Sequence, residues 1–556
     1  MTAQGVAGPG TAESGAGDWD ETRFNPQAGP ATIPAQLAES ARAYGERLFL
    51  VGEDGRSLTF GATQAAARRM ARAFIAAGLA LGDRVAIWAP NSIDWVIATL
   101  GLQLAGGVLV PLNTRFKGEE AAFILDKSRA TFLCTVGQFL GIDYTALIQS
   151  ARGGPADGRS VAGLPHLREI VLLDADPLAA FTARGDGVSE AELNARIAAI
   201  TPDSLCDILF TSGTTGKPKG AMFSHAQSLS VVRSYNFVNR TVPGDRMVIV
   251  NPFFHSFGYR AGWVACLIDG MTAYPVAELK SDALAALIER EQITVLPGPP
   301  ALFQTLVDSP SPHDISSLRI GTTGSANLPV ALMEACHDQL GLELILTSYG
   351  LTENTAMGTS CRMGDDAKTL ATTVGRVFPG WEMQLVGTDG QPVPIGDPGE
   401  ICFRGFSVMQ GYFEDPVATA EAIDAQGWLH TGDVGMLDER GYVRIVDRLK
   451  DIIIVGGFNV YPAEVESMLR KAPGVAEVAV VGMPDHRMGE VAVAFIVPAA
   501  GTVPDGATLT AWSREQMANF KVPRRFELID ALPKTPLGKV RRVELKALAA
   551  DFGSKG

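Results

Sequence analysis

The chain has 556 residues, of which 46% are hydrophobic and 19% charged, a composition typical of a globular protein with more than one domain. Its formal net charge of −14 excludes the basic footprint on which nucleic-acid binding depends, so DNA and RNA are not expected as partners. The six cysteines lie far apart without the spacing of a metal site, which predicts buried thiols in a reducing cytoplasm.

The N-terminal residues 1–30 are rich in glycine, alanine, proline and acids, and they lack the apolar core of a secretory signal. We therefore expect a disordered tail. The segment Trp95–Leu112 reaches the length of a membrane span, but a glutamine, a Gly–Gly pair and a proline interrupt it. This pattern predicts a buried helix followed by a core strand, and no transmembrane segment.

Apolar segments of helical and strand length alternate along most of the chain. Ala65–Ala80 has a helical pattern, whereas Arg84–Trp88 and Gly107–Pro111 read as short strands. This alternation predicts an α/β fold, with a large N-terminal domain of βα layers and mostly parallel sheets over residues 31–449. Beyond it the pattern changes to a hairpin, a helix that opens at Pro462 and longer strands, which predicts a small α+β domain over residues 450–556.

The run Phe210–Gly220, FTSGTTGKPKG, concentrates hydroxyls, glycines and lysines in one loop. Glycines let backbone N–H groups approach anionic oxygens, and lysines supply charge, so the run predicts a polyphosphate-binding loop. Its glycine spacing is not that of a Walker A loop. An apolar run precedes it, and Ser224 with Gln227 has capping-box spacing, which predicts a strand, the loop and then a helix. The candidate phosphate-binding residues are Thr211, Ser212, Gly213, Thr214, Thr215, Gly216, Lys217 and Lys219.

Further motifs follow the loop in a characteristic order: SYGLTE from Ser348, TGD from Thr431, DRLKD from Asp447 and PKTPLGKV from Pro533. With these motifs the chain resembles the adenylate-forming superfamily of acyl-CoA synthetases, adenylation domains and beetle luciferase, over about residues 30–545. The resemblance implies a large domain with a small mobile lid. It also implies a two-step reaction, in which a carboxylic acid and Mg·ATP form an acyl adenylate and the thiol of CoA then displaces AMP.

The resemblance also implies a role for each motif residue. Glu353 would bind Mg²⁺ through a hard oxygen, Thr352 would donate to the α-phosphate, and Lys539 would stabilise the charge of the adenylation transition state. Lys450 would be the hinge about which the small domain turns between the two steps. The remaining nucleotide- and CoA-binding candidates are Gly324, Ser325, Ala326, Tyr349, Gly350, Asp433, Arg448, Gly456 and Gly457. Among them Tyr349 would stack on adenine, and Asp433 and Arg448 would bind the ribose.

The segment Asn251–Gly262, NPFFHSFGYRAG, is similar to the family's acyl-pocket region. We expect the substrate pocket at His255, Gly258, Tyr259 and Trp263, in a roomy and mainly apolar space. Arg260 either contacts polar oxygens of the substrate or points to solvent.

Longer stretches around the pocket and the SYGLTE motif are similar to the actinobacterial ligases that activate the hexahydroindanedione propanoate of steroid degradation. This acid is the expected substrate, with a medium- or long-chain fatty acid as the alternative. An adenylation enzyme that serves a carrier protein and a non-catalytic nucleotide-binding protein are the less favoured hypotheses, and a homo-oligomer is left open.

Overall fold

The computed structural model describes residues 19–152, 161, 163–212, 218–278, 281–308, 312–324, 329–387, 389–448, 453–460, 462–533, 540 and 542–553. For a few of these, including Ser212 and Arg448, the description covers the backbone only.

The first large sheet runs through the middle of the large domain. Its inner strands are parallel, and strands at its two edges pair antiparallel. Strands of a parallel sheet covered on both faces need apolar residues throughout, and this explains why they read as continuous apolar runs. In spatial order the strands are Arg376–Val377, Thr359–Ser360, Leu344–Tyr349, Ile320–Gly324, Val295–Pro297, Arg246–Ile249, Thr272–Pro275, Leu48–Val51 and Ser57–Thr59.

A second mostly parallel sheet carries the polyphosphate loop. Its strands, in spatial order, are Gly411–Tyr412, Pro218–Ser224, Leu205–Ser212, Val108–Pro111, Arg84–Trp88, Ala130–Thr135 and Glu169–Leu172. The predicted strand before the loop is present, and the predicted capping box of Ser224 and Gln227 opens helix His225–Asn239. The strand Pro218–Ser224 was not predicted. It pairs antiparallel with Leu205–Ser212, so the loop connects two strands of a hairpin.

Helices cover these two sheets. The expected helix at Ala65–Ala80 runs from Phe60 to Ala76, and the apolar segment at Trp95 forms the buried helix Ile93–Leu104 before the strand Val108–Pro111, as predicted. The longer helices of the large domain are Ile33–Tyr44, Phe60–Ala76, Ile93–Leu104, Gly118–Lys127, Tyr144–Arg152, Ala175–Ala183, Glu190–Ala198, His225–Asn239, Ser281–Glu291, Pro300–Asp308 and Val330–Asp338. None of the helices in the described part of the chain combines bilayer-spanning length with a sufficiently apolar sequence.

A third, antiparallel sheet completes the large domain. Its strands are Glu382–Val386, Pro398–Arg404, Leu429–Leu437 and Val443–Arg448. In its register Asp433 lies opposite Arg448, so two predicted ribose-binding residues are cross-strand neighbours.

The N-terminal segment departs from the expected tail of residues 1–30. Residues 1–18 lie outside the described residues, but Phe24 stacks on Phe237 with ring centroids 4.1 Å apart. Glu21 also forms an ion pair of 2.6 Å with Arg362. A tail prediction based on composition misses such contacts because their partners lie more than 200 residues away in the sequence.

The small domain has its own sheet and core. The sheet contains the hairpin strands Ile453–Val455 and Phe458–Val460, the long strands Val475–Asp485 and Gly489–Pro498, and Arg525–Leu528. Helices Pro462–Leu469, Gly506–Gln516 and Arg542–Gly553 pack around it. The hairpin, the helix start at Pro462 and the two long strands agree with the sequence prediction. The exact boundaries at residues 449 and 450 lie outside the described residues.

Candidate functional site

The two strands that flank the polyphosphate loop bring Thr211 and Lys219 opposite each other. Residues Gly213–Lys217 and the side chain of Ser212 lie outside the described residues. The Lys219 ammonium lies 5.1 Å from the ring centroid of Tyr412, a cation–π distance. This contact holds one of the predicted phosphate-binding cations at the edge of the second sheet.

The predicted metal ligand Glu353 lies on a tight turn that follows the strand Leu344–Tyr349. The turn contains a 3₁₀ segment, Thr352–Asn354, and then two residues with left-handed backbone, Thr355 at φ 65° and Ala356 at φ 62°. A Cβ atom at Gly350 would clash with the backbone of Ala356, so the turn needs a glycine there. Thr352 lines a cavity together with Thr211 and His255, which brings three predicted site segments together.

Tyr412 is a site residue that the sequence analysis missed. Its hydroxyl donates a hydrogen bond of 2.7 Å to Glu353 Oε1 while its ring carries the Lys219 ammonium. Thr211 Oγ1 lies 3.5 Å from the same carboxylate oxygen. Tyr412 therefore links the metal turn to the phosphate loop. The only sequence signal is an isolated Gly–Tyr pair, which does not reveal a partner 59 residues away.

The predicted adenine and ribose residues are also in contact. Tyr349 donates a hydrogen bond of 2.7 Å to Asp433 Oδ2, and both residues are buried. Gly324 lies on the neighbouring strand, where an added Cβ would collide with the carbonyl oxygen of Ser348. Ser325, Ala326 and the side chain of Arg448 lie outside the described residues.

A hydrogen-bonded group behind Asp433 was not predicted. Glu400 accepts from the backbone N–H of Gly432 through Oε1, at 2.8 Å, and contacts His430 Nδ1 through Oε2, also at 2.8 Å. Cys402 Sγ lies 3.5 Å from the same ring nitrogen. Burial raises the pKa of the Cys402 thiol to about 12, with Glu400 adding to the shift. The thiol is therefore protonated, and the group supports the backbone that carries Asp433.

A second, larger cavity of about 400 Å³ lies on the other side of His255. His255 exposes its ring to this space, and its Nδ1 accepts a hydrogen bond from the backbone N–H of Phe257. Desolvation by the surrounding protein lowers the pKa of His255 to about 4, so the ring is neutral at pH 7. The cavity walls include Asn91, Tyr144, Val250, Phe254, Phe257, Val276 and Pro299.

Three of the predicted pocket residues do not line the 400 Å³ cavity, and their place in the substrate pocket stays a prediction. Tyr259 and Trp263 have no exposed surface and pack with Trp95 in an aromatic cluster of the core. Gly258 is buried where a Cβ would clash with the carbonyl of Pro252, so it permits close backbone packing. The residues Tyr259–Val264 form a π-helical segment with a kink at Gly262, and all six are buried.

Arg260 follows neither of the two expected alternatives. It is fully buried and forms an ion pair of 2.6 Å with Asp207, which is also fully buried. It therefore contacts neither the large cavity nor solvent.

The small domain faces these cavities with its hairpin. Gly456 and Gly457 form the hairpin tip with φ 56° and 85°, and both line the 400 Å³ cavity. Lys521 of the small domain bridges Glu464 of the same domain, at 2.6 Å, and Glu120 of the large domain, at 2.7 Å. Desolvation lowers the pKa of Lys521, but the two carboxylates outweigh it and raise the pKa overall. Lys450 and Lys539 lie outside the described residues.

Comparison with known proteins identifies the family. The AMP-binding enzyme family model matches residues 37–413, and the AMP-binding enzyme C-terminal domain matches residues 464–539. Two relatives are named 3-[(3aS,4S,7aS)-7a-methyl-1,5-dioxo-octahydro-1H-inden-4-yl]propanoyl:CoA ligase. The relative from Rhodococcus jostii is 44% identical over 93% of this chain and 98% of its own length. The relative from Mycobacterium tuberculosis is 46% identical over 93% of this chain and 99% of its own length.

Solved structures agree with this result. A double mutant of the o-succinylbenzoate CoA synthetase of Bacillus subtilis, bound to the product analogue OSB-NCoA, is similar with a TM-score of 0.80 and 29% identity over 92% of this chain and 98% of its own. The same synthetase in complex with its acyl adenylate OSB-AMP gives a TM-score of 0.65 at 29% identity, over 92% of this chain and 97% of its own. The chain belongs to the AMP-binding enzyme family and is an acid–thiol ligase of the acyl-CoA synthetase type.

Proposed function

We propose that this enzyme is the AMP-forming CoA ligase for the hexahydroindanedione propanoate of steroid degradation. The observation that carries the proposal is the identity of 44% and 46%, over 93% of the chain, to two ligases whose names specify this acid. A cavity of about 400 Å³, lined by aromatic and aliphatic side chains together with polar ones such as Asn91, Arg115 and Glu278, supports it, because small-molecule sites have volumes of about 300–1,000 Å³.

In the adenylation step, a carboxylate oxygen of the acid attacks the α-phosphorus of ATP and pyrophosphate leaves. Tyr349 and Asp433 would hold the adenosine, with Asp433 oxygens accepting from ribose hydroxyls. Thr352 would donate its hydroxyl to the α-phosphate. Lys539, assigned by resemblance, would supply the positive charge that stabilises the transition state.

Mg²⁺ fits the carboxylate of Glu353. Oε1 accepts from the Tyr412 hydroxyl, and among the residues that the structure describes no hydrogen bond reaches Oε2. A partly buried carboxylate offers the hard oxygen ligands that Mg²⁺ prefers. When bound, the ion would neutralise charge on the ATP phosphates. Tyr412 would fix the orientation of the carboxylate that holds it.

In the thioester step, the thiol of CoA attacks the acyl carbonyl and AMP leaves. The TM-score with the Bacillus subtilis synthetase is 0.80 for its CoA-analogue complex and 0.65 for its acyl-adenylate complex, although the sequence identity is the same. This difference supports a small domain oriented for thioester formation. Gly457 supports it as well, since its missing side chain leaves room beside Pro299 for a pantetheine arm. The domain boundary and hinge at Lys450 belong to this proposal.

His255 lines both cavities, and its ring is neutral. A neutral imidazole there would avoid placing a positive charge beside an apolar acid. We propose that it positions the carboxylate of the acid. A cytoplasmic location stays a prediction, in keeping with six buried free thiols.

The test is mass-spectrometric detection of acyl-CoA and AMP after incubation of the full chain with ATP, Mg²⁺, CoA and one acid at a time. The acids are the hexahydroindanedione propanoate, octanoate, palmitate, benzoate and a mixture of amino acids. A CoA thioester of the bicyclic acid with stoichiometric AMP is the expected result. Thioesters of octanoate or palmitate alone would contradict the proposed substrate, and AMP without any thioester would contradict CoA as the acceptor.

A further inference from the structure

The buried ion pair of Asp207 and Arg260 lies at the meeting point of three site segments. Asp207 belongs to the strand Leu205–Ser212, which enters the phosphate loop. Arg260 follows the turn that contains His255. Both side chains have no exposed surface, and Arg260 Nη2 donates to Asp207 Oδ1 at 2.6 Å. Removing two charges from water costs free energy, which an ion pair recovers only when its remaining hydrogen-bonding groups also have partners. The further hydrogen bonds of this pair therefore show which segments it holds in place.

The remaining bonds of this pair reach two further elements. Arg260 Nη1 donates to Ser256 Oγ at 3.0 Å, and Ser228 Oγ lies 3.3 Å from both the arginine and Asp207 Oδ2. Ser228 belongs to helix His225–Asn239, which follows the loop hairpin. The arginine also lies over the ring of Phe223, with its Cζ 4.5 Å from the ring centroid. Arg260 is thus anchored on both sides of the phosphate loop.

Ser256 extends the chain of bonds to the metal turn. Its hydroxyl donates to the backbone carbonyl of Thr355 at 2.7 Å, and the residue is buried. Thr355 has a left-handed backbone, which for a β-branched residue is unfavourable and must be held by its surroundings. The N–H of Thr355 in turn bonds to the carbonyl of Thr352, so the hydrogen bond from Ser256 supports the turn that carries Thr352 and Glu353.

We propose that Arg260 and Ser256 are positioning residues for adenylation, which connect the acyl-pocket turn at His255 to the Glu353 turn and to the strand that enters the phosphate loop. This inference rests on the proposed function, in which Glu353 binds Mg·ATP. Neither side chain contacts the reacting atoms. They act by holding the acid-binding and nucleotide-binding segments in fixed positions relative to each other, so that binding of the acid and binding of Mg·ATP are coupled.

The first test is Ser256→Ala, which removes the link to Thr355 and leaves the Asp207–Arg260 pair intact. Loss of the bond leaves the carbonyl of Thr355 without its donor, so the turn that carries Thr352 and Glu353 is no longer held in the geometry that binds Mg·ATP. We therefore expect the affinity for a non-hydrolysable ATP analogue with Mg²⁺, measured by calorimetry without any acid, to fall about tenfold. Pyrophosphate exchange should fall to a similar extent, whereas thioester formation from supplied acyl adenylate and CoA should change less than about twofold. Ser256→Thr, which keeps the hydroxyl, should restore most of the affinity.

The matched control is Ser234→Ala. Ser234 is equally buried and donates a hydrogen bond of 2.8 Å to the backbone carbonyl of Pro379, away from the site. It should lose similar thermal stability but retain analogue affinity. Arg260→Lys keeps a cation for Asp207 and should fold, yet lose analogue affinity as Ser256→Ala does. Equal analogue affinity in wild type and Ser256→Ala, or equal losses in Ser256→Ala and Ser234→Ala, would overturn the inference. Calorimetry requires no acid, so failure of the proposed substrate would not affect this result.

Discussion

Lys521 offers the sharpest test of how the small domain is held against the large one. Its ammonium lies 2.7 Å from Glu120 of the large domain and 2.6 Å from Glu464 of its own domain. The side chains of Lys521 and Glu120 are only 4% and 10% exposed, so solvent does not screen this contact as it would screen a surface ion pair. Glu120→Gln would remove the charge from the interdomain contact but keep its shape and one hydrogen bond.

The expected magnitude follows from the kind of bond that remains. In Glu120→Gln the acceptor becomes neutral while Lys521 stays cationic, so only part of a contact worth about 1.5–3 kcal/mol is lost, and the orientation described here should lose roughly 1–1.5 kcal/mol. Since about 1.4 kcal/mol corresponds to a factor of ten, the rate of thioester formation should fall by up to about tenfold. Adenylation does not need this orientation in our account, and it should stay within about twofold of wild type.

The assay separates the two half-reactions. Pyrophosphate exchange reports adenylation, and rapid mixing of enzyme-bound acyl adenylate with CoA, followed by quenching, reports the thioester step. Glu119→Gln is the matched control, because Glu119 is the neighbouring glutamate but is 60% exposed and pairs with Arg152. Equal losses in both half-reactions, or the same behaviour in Glu119→Gln and Glu120→Gln, would refute the interdomain role of Lys521.

Three further changes test other parts of the structure. Tyr412→Phe removes a hydrogen bond to the Glu353 carboxylate that is worth about 1.5–3 kcal/mol. We expect kcat/KM for Mg·ATP in pyrophosphate exchange to fall at least about tenfold. An unchanged value would contradict the role of Tyr412 in orienting Glu353. Trp263→Ala should lower the free energy of unfolding by about 3–5 kcal/mol, because Trp263 is a buried core residue. Phe257→Ala should mainly raise KM for the acid, because Phe257 lines the 400 Å³ cavity. The opposite pattern in thermal midpoints and KM values would indicate that Trp263 lines the pocket. Burial lowers the pKa of His225 from 6.5 in the unfolded chain to about 4 in the folded protein. Between these two pH values the unfolded chain binds a proton that the folded protein does not, so the free energy of unfolding falls as the pH drops from 6.5 towards 4. His225→Gln should therefore show a smaller drop in thermal midpoint between pH 7 and pH 5 than wild type, and an equal drop would speak against a neutral His225.

Local sequence signals predicted the parts of the site that depend on neighbouring residues. The strand before the phosphate loop and the capping box after it need only nearby residues, and both are present. The resemblance points to Tyr349 at a strand end, Glu353 on a tight turn and Asp433 within the strand Leu429–Leu437. A hydrogen bond brings Tyr349 and Asp433 together, and the nucleotide-binding role of all three stays a prediction.

Long-range packing accounts for the parts that the sequence did not reveal. Tyr412, Glu120 and Asp207 each find their partners through the tertiary fold, at sequence separations of 59, 401 and 53 residues. The core position of Tyr259 and Trp263, away from the described cavity, was not foreseen for a different reason. A π-helical segment with a kink has no regular 3.6-residue period, so the faces on which its aromatic residues lie cannot be derived from their spacing.

The identity of the acid is tested by the ratio of two specificity constants. kcat/KM would be measured for the hexahydroindanedione propanoate and for octanoate with the full chain under identical ATP, Mg²⁺ and CoA concentrations. Because a pocket shaped for a bicyclic acid gains contacts worth several methylenes, and each methylene is worth about 1–3 kcal/mol, we expect a ratio of at least about 100 in favour of the bicyclic acid. A ratio near one, or a preference for octanoate, would contradict the account and identify the enzyme as a fatty acid ligase.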